Sequence, residues 1–169
     1  VAGYALLGST WLIMKTEGAL QDWAYGVTRK LLLAVLAFMA VVSLWVPFLD
    51  TDIFDRWFAW PNLLYLSPVP ALVALAALSL WMAVQTRRNY APFLLTIALF
   101  LLGYLGLAFS LFPNIIPPDI TIYEAASPPE SQIFLLVGVA ILIPVILAYT
   151  AWSYWVFRGK VGHDAGYHH

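Results

Sequence analysis

The chain has 169 residues, of which 63% are hydrophobic and 10% charged, with a formal net charge of −1 and a mean hydropathy of +0.85. A soluble domain carries about a quarter charged residues, so this composition cannot cover a water-facing surface, and the lack of a basic excess excludes nucleic acid as partner. No cysteine is present, which removes disulfides, thiolate catalysis and cysteine-ligated metals or clusters.

Five apolar runs, a to e, are delimited by the charged residues: 1–14, 31–49, 66–86, 90–112 and 131–157. Run a opens without an initiating Met or the basic flank of a secretory signal. Its fourteen residues before Lys15 fall short of the roughly 20 that cross a hydrocarbon core of about 30 Å. It therefore reads as the end of a span begun upstream, and the chain as the C-terminal portion of a longer protein. Glu17 and Asp22 follow it. They read either as a carboxylate that admits protons at the membrane surface or, more plainly, as helix-end ion pairs with Lys15 or with Arg29 and Lys30.

Runs b to e are each long enough to span. Leu, Ala, Val and Phe occur on every face of them, as expected of helices surrounded by lipid and other helices, and the period-two alternation of a membrane barrel is absent. The fold class is all-α: a polytopic transmembrane helical bundle of about four full spans plus one partial N-terminal span. Residues 1–25 are expected to end a preceding helix, 26–158 to form a four-helix transmembrane bundle, and 159–169 to be a cytoplasmic tail.

Between b and c, Ile53, Phe54, Trp57, Phe58 and Trp60 recur at near-helical spacing while Asp52, Asp55 and Arg56 face elsewhere, which predicts a short helix lying in the interface. Asp50, Asp52 and Asp55 lack the glycine and distal Glu of a calcium loop, so a solvated loop is expected there. In c and d the pairs Ser79–Ala83 and Gly106–Ser110 would let helix backbones approach. The d–e loop, 113–130, holds five prolines and is expected to be an ordered, irregular cap. Pro144 within e removes a backbone donor and predicts a kink, with Tyr149, Thr150 and Ser153 offering hydroxyls just beyond it. The tail from Gly162, with His163, Asp164, His168 and His169, reads as disordered.

Seven of the eight basic residues, Lys15, Arg29, Lys30, Arg87, Arg88, Arg158 and Lys160, fall in one set of connections, and only Arg56 in the other. Basic residues near span ends are retained on the cytoplasmic side, so loops b–c and d–e are expected outside and the C-terminus inside. Trp45, Trp57, Trp60 and Tyr65 would form an outer aromatic belt, and Trp23, Tyr25, Tyr90, Trp152, Tyr154 and Trp155 an inner one.

Runs b to e contain no ionisable side chain of the kind that marks proton relays or ion sites in membranes. Histidine occurs only at 163, 168 and 169. Met39 and Met82 remain conceivable haem ligands, but a Met among Leu and Ala is more commonly core filler. No catalytic, cofactor-binding or metal-binding residue is assigned to this chain.

Three stretches together carry a resemblance: 8–18 (GSTWLIMKTEG), 112–128 (FPNIIPPDITIYEAASP) and 149–161 (YTAWSYWVFRGKV). In this order and spacing they closely resemble the C-terminal half of subunit II of the cytochrome bd quinol oxidases, including the cyanide-insensitive branch. The resemblance implies a bacterial plasma-membrane complex that oxidises quinol and reduces dioxygen to water without pumping protons. It implies eight spans in two four-helix bundles, of which runs b to e are the second and run a the end of the fourth span. Haems b and d and the quinol-oxidising loop would belong to the partner, subunit I. The expected surroundings are subunit I, a small single-span subunit and lipid, with no haem bound by this chain. The alternative from another class is half of a secondary transporter, for which a midplane site would be required. Only Pro144 and its neighbouring hydroxyls hint at one.

Overall fold

The computed structural model describes residues 1–48, 51–116 and 119–160, and for Thr51, Asp52 and Arg56 the backbone alone. Seven α-helices are present among them: α1 Ala2–Lys15, α2 Ala19–Trp45, α3 Thr51–Phe58, α4 Asn62–Leu66, α5 Pro68–Gln85, α6 Ala91–Leu111 and α7 Pro129–Val156. A 3-10 turn, Val46–Phe48, extends α2, and two short strands, β1 Asn114–Ile116 and β2 Ile120–Thr121, precede α7. Four segments are long and apolar enough to cross a membrane: Ala19–Phe48, Asn62–Gln85, Ala91–Leu111 and Pro129–Val156. The chain is thus a polytopic, all-α membrane protein, as its composition required.

Helix boundaries follow from residues with restricted backbones. Prolines stand in the first turn of α5, α6 and α7, where their missing N–H costs no hydrogen bond. Gly18, at φ +67°, opens α2 in a conformation that only glycine adopts freely. From there nothing breaks the helix before Pro47, so α2 begins twelve residues earlier than run b, whose start at Leu31 was set by charges. Asp22, Arg29 and Lys30 therefore lie within a helix that continues into the membrane. With its 3-10 extension this segment has 30 residues and spans about 45 Å, well beyond a hydrocarbon core of about 30 Å.

The chain divides into two compact units, residues 1–112 with Lys160, and residues 113–159. In the first, α1, α2, α5 and α6 share a core of Leu6 and Ile13, Ala24, Tyr25, Leu32 and Val35, Ala76, Leu80 and Val84, and Leu99. Lipid offers little hydrophobic drive for helix association, so close approach and a few hydrogen bonds must hold such a core together. Gly3 makes room for a ring from α6. A Cβ there would stand 2.7 Å from Cζ of Phe100 on α6.

α3 is the short amphipathic helix expected between b and c: Ile53 is buried, Asp55 is exposed, and the rings of Phe54 and Phe58 lie 4.7 Å apart. Asp50, and the side chains of Asp52 and Arg56, lie outside the described residues. In the second unit β1 and β2 pair antiparallel, Asn114 with Thr121 and Ile116 with Ile120, in place of an irregular cap. Pro113, Pro128 and Pro129 fall outside the paired positions, so none of them must donate to the ladder. α7 runs without interruption through Pro144, and none of its residues is buried.

Candidate functional site

Two polar seams join helices of the first unit. The inner one is embedded: Ser9, Thr10 and Thr28 are all buried. Ser9 Oγ donates to the Leu6 carbonyl at 3.0 Å, Thr10 Oγ1 to the same carbonyl at 2.9 Å, and Thr28 Oγ1 donates across to Ser9 Oγ at 2.8 Å. Small hydroxyl residues satisfy themselves on their own helix this way, leaving one bond free to cross to the neighbour.

The second seam lies where α1 turns into α2 and α5 into α6. Gln21 Nε2 donates to the Ile13 carbonyl at 2.8 Å and to Asn89 Oδ1 at 3.2 Å, and Tyr25 Oη donates to the Arg88 carbonyl at 3.2 Å. Asp22 and Arg87 pair at 2.8 Å, and the Arg87 guanidinium lies 5.2 Å from the centre of the Tyr25 ring. The turn behind these contacts is a Schellman motif: Arg88 N donates to the Ala83 carbonyl and Arg87 N to that of Val84. Its left-handed position is held by Arg87, at φ +53°, where glycine is usual. The conformational cost of an L residue there is about 1 kcal/mol, offset by the ion pair and ring contact that Arg87 alone supplies.

Both carboxylates noted in the sequence lie in ion pairs. Asp22 pairs with Arg87, because the turn brings Arg87 onto the first turn of α2. Glu17 lies 3.9 Å from Lys160, and Lys15 stacks over the Trp11 ring at 5.2 Å. The Asp22–Arg87 pair is more than half exposed on both sides, so it contributes roughly 0.2–1 kcal/mol.

At the opposite end of α6, Trp57 Nε1 donates to Ser110 Oγ at 3.0 Å, and Ser110 Oγ donates in turn to the Gly106 carbonyl at 2.9 Å. The Gly106–Ser110 pair thus faces neighbours within this unit, with Val69 Cγ1 on α5 at 3.6 Å from the place a Gly106 Cβ would take. In c, Ala83 is buried and Ser79 half-buried. In the second unit Glu124 holds the turn that follows β2, accepting from Thr121 N and Thr121 Oγ1 at 2.9 Å each. These bonds hold its carboxyl below the usual carboxylate range.

Among the described residues no group of three or more His, Asp or Glu gathers as a metal site. Met39 turns its methyl towards Gly103 on α6, 3.3 Å from where a Cβ would stand, and Met82 is half exposed on α5. Tyr149 is exposed on α7. The histidines and Asp164 of the tail lie outside the described residues. The hydroxyl seam, Gln21, and the Trp57–Ser110 bond went unread in the sequence. The Ser9–Thr10 pair inside an apolar run was the one available signal for the first of them.

Residues 1–157 match a family described as cytochrome bd terminal oxidase subunit II. The chain is 25% identical over 166 residues to cytochrome bd ubiquinol oxidase subunit 2 of Bacillus subtilis. That alignment covers 92% of this chain and 46% of the relative, so the chain spans about half the length of the protein it matches.

Proposed function

This chain belongs to the cytochrome bd terminal oxidase subunit II family, and on that premise we propose that it is the C-terminal half of the non-haem structural subunit of a bacterial quinol:oxygen oxidoreductase. The complex oxidises quinol and reduces dioxygen to water, with haems b and d carried by a partner, subunit I. The observation that carries the reading is the family match across residues 1–157. The donor chemistry supports it: no cysteine is present, histidine occurs only in the tail, and the Met39 methyl packs against Gly103.

The chain's own part is to supply a membrane surface against which the haem-bearing subunit is held. The four membrane-crossing segments lie between residues 19 and 156, so the boundary expected at residue 25 falls inside α2, and residues 159–169 are taken as a cytoplasmic tail. The wholly unburied α7, apolar along most of its length, supports a role in packing against lipid and partner helices. A small single-span subunit completes the complex. The whole is placed in the bacterial plasma membrane with the C-terminus inside, as the distribution of seven basic residues indicates.

Membranes from cells lacking the full-length protein should lose the oxidase haem spectrum and quinol-dependent oxygen uptake together, and regain both on its re-expression. An unchanged spectrum with unchanged uptake would refute the assignment.

A further inference from the structure

We infer that Arg29 and Lys30 form a site for the phosphate of an anionic phospholipid, in the leaflet at the α1–α2 turn. Arg29 is half-buried, and its Nε is sheltered from solvent without a hydrogen-bond partner among the described residues. The polar groups before it in the chain have partners of their own. Asp22 holds Arg87, Glu17 lies against Lys160, and the Thr28 hydroxyl donates to Ser9. A buried guanidinium N–H with no acceptor among the described residues is satisfied by an anion from outside them.

Depth selects lipid. Tyr25 is level with the α5–α6 turn, since its hydroxyl reaches the Arg88 carbonyl. Arg29 is one helical turn further along α2, about 6 Å deeper, and Lys30 follows it. At that level long cationic side chains reach back to headgroups, and basic positions between spanning helices bind lipid phosphate.

The surface is also shaped for it. Trp23, Gly26, Lys30 and Leu33 are exposed and fall on one stripe of α2, running from the helix end inward. Trp23 suits the headgroup level and Leu33 the acyl chains. Between them Gly26 has nothing within 4 Å of the place a Cβ would take. Glycine is less favourable than alanine inside a helix, and no neighbour in this chain requires it here. It leaves a notch beside both cations.

The test uses the full-length protein with its partner subunits, in nanodiscs of phosphatidylcholine doped with phosphatidylglycerol, with retained lipid counted by native mass spectrometry. Wild type should retain phosphatidylglycerol selectively. Arg29→Gln and Lys30→Gln should each lower that retention about fivefold, and Gly26→Leu should lower it with both cations intact. Excess inorganic phosphate should leave it unchanged, as expected when acyl chains contribute. Lys30 and Gly26 are exposed, so their variants carry the test even if Arg29→Gln does not fold. Undiminished retention in the Lys30 and Gly26 variants overturns the site. Displacement by phosphate alone would make it a free-anion site, and loss of a partner subunit with lipid unchanged in Arg29→Gln would assign the acceptor to a protein carboxylate. Either result refutes the lipid assignment.

Discussion

Thr28 Oγ1 donates to Ser9 Oγ at 2.8 Å, joining two helices at a point where both side chains are buried. Interhelical bonds of this kind in membranes average about 0.6 kcal/mol, because the separated helices also find partners. Thr28→Val keeps the shape and leaves Ser9 bonded to Leu6, so it should cost about that much. Ser9→Leu fills a closed seam and should cost about 1–3 kcal/mol. Reversible unfolding in mixed detergent micelles measures both, and equal losses would mean that shape at this seam is unimportant.

The Arg87 turn separates backbone from side-chain effects. Arg87→Ala removes the exposed pair with Asp22 but keeps an L residue at φ +53°, so it should destabilise by roughly 0.2–1 kcal/mol. Arg87→Gly loses the same pair while relieving a strain of about 1 kcal/mol, and should be nearly neutral. Thermal unfolding of the two variants gives the order, and a glycine variant less stable than the alanine one would contradict the Schellman reading.

Glu124 gives the d–e loop a signed dependence on pH. Its carboxyl is held low by the Thr121 amide and hydroxyl, so the ionised form favours the Thr121–Glu124 turn. This contribution is complete above the ordinary carboxylate range and is lost as pH falls through the lowered value. Hydrogen exchange at the Thr121 amide, corrected for intrinsic rates, should quicken only on acidification below that range. Glu124→Gln should abolish the dependence, and an amide that loosens instead at neutral pH would rule this out.

Much of this architecture was legible in the residues because charges and prolines mark where apolar runs stop. Runs c, d and e correspond to α5, α6 and α7 for that reason, and α3 was visible through the spacing of Ile53, Phe54, Trp57 and Phe58. The start of α2 was misplaced because Asp22, Arg29 and Lys30 interrupt hydropathy without interrupting a helix. Gly18 followed by no proline until Pro47 was the better guide. The β1–β2 pair was hidden by the prolines beside it. The Asp22–Arg87 and Trp57–Ser110 contacts span 65 and 53 positions and arise from packing, which local spacing does not encode.

The orientation proposed from the basic residues can be tested in intact cells. Single cysteines placed at Asn89 and Asp119 should react differently with an impermeant reagent in intact cells, the second labelled and the first protected. Labelling at Asn89 alone would invert the topology.

Gly106 tests whether helix packing carries assembly. Alanine is accommodated beside Val69, whose Cγ1 stands 3.6 Å from the added carbon, so Gly106→Ala should be mild. Gly106→Leu overpacks the α5–α6 contact at a cost of about 1–3 kcal/mol, and should reduce the amount of haem-bearing partner recovered with the protein. Loss of turnover in an intact, haem-replete complex would instead point to a direct catalytic role.

The most direct measurement is affinity purification of the full-length protein from membranes, followed by separation of its subunits under conditions that retain haem. Haems b and d should co-purify with quinol-dependent oxygen uptake, and on separation all haem should stay with the partner, subunit I. Stoichiometric haem remaining on this chain, or a preparation with no haem-bearing partner at all, would contradict it.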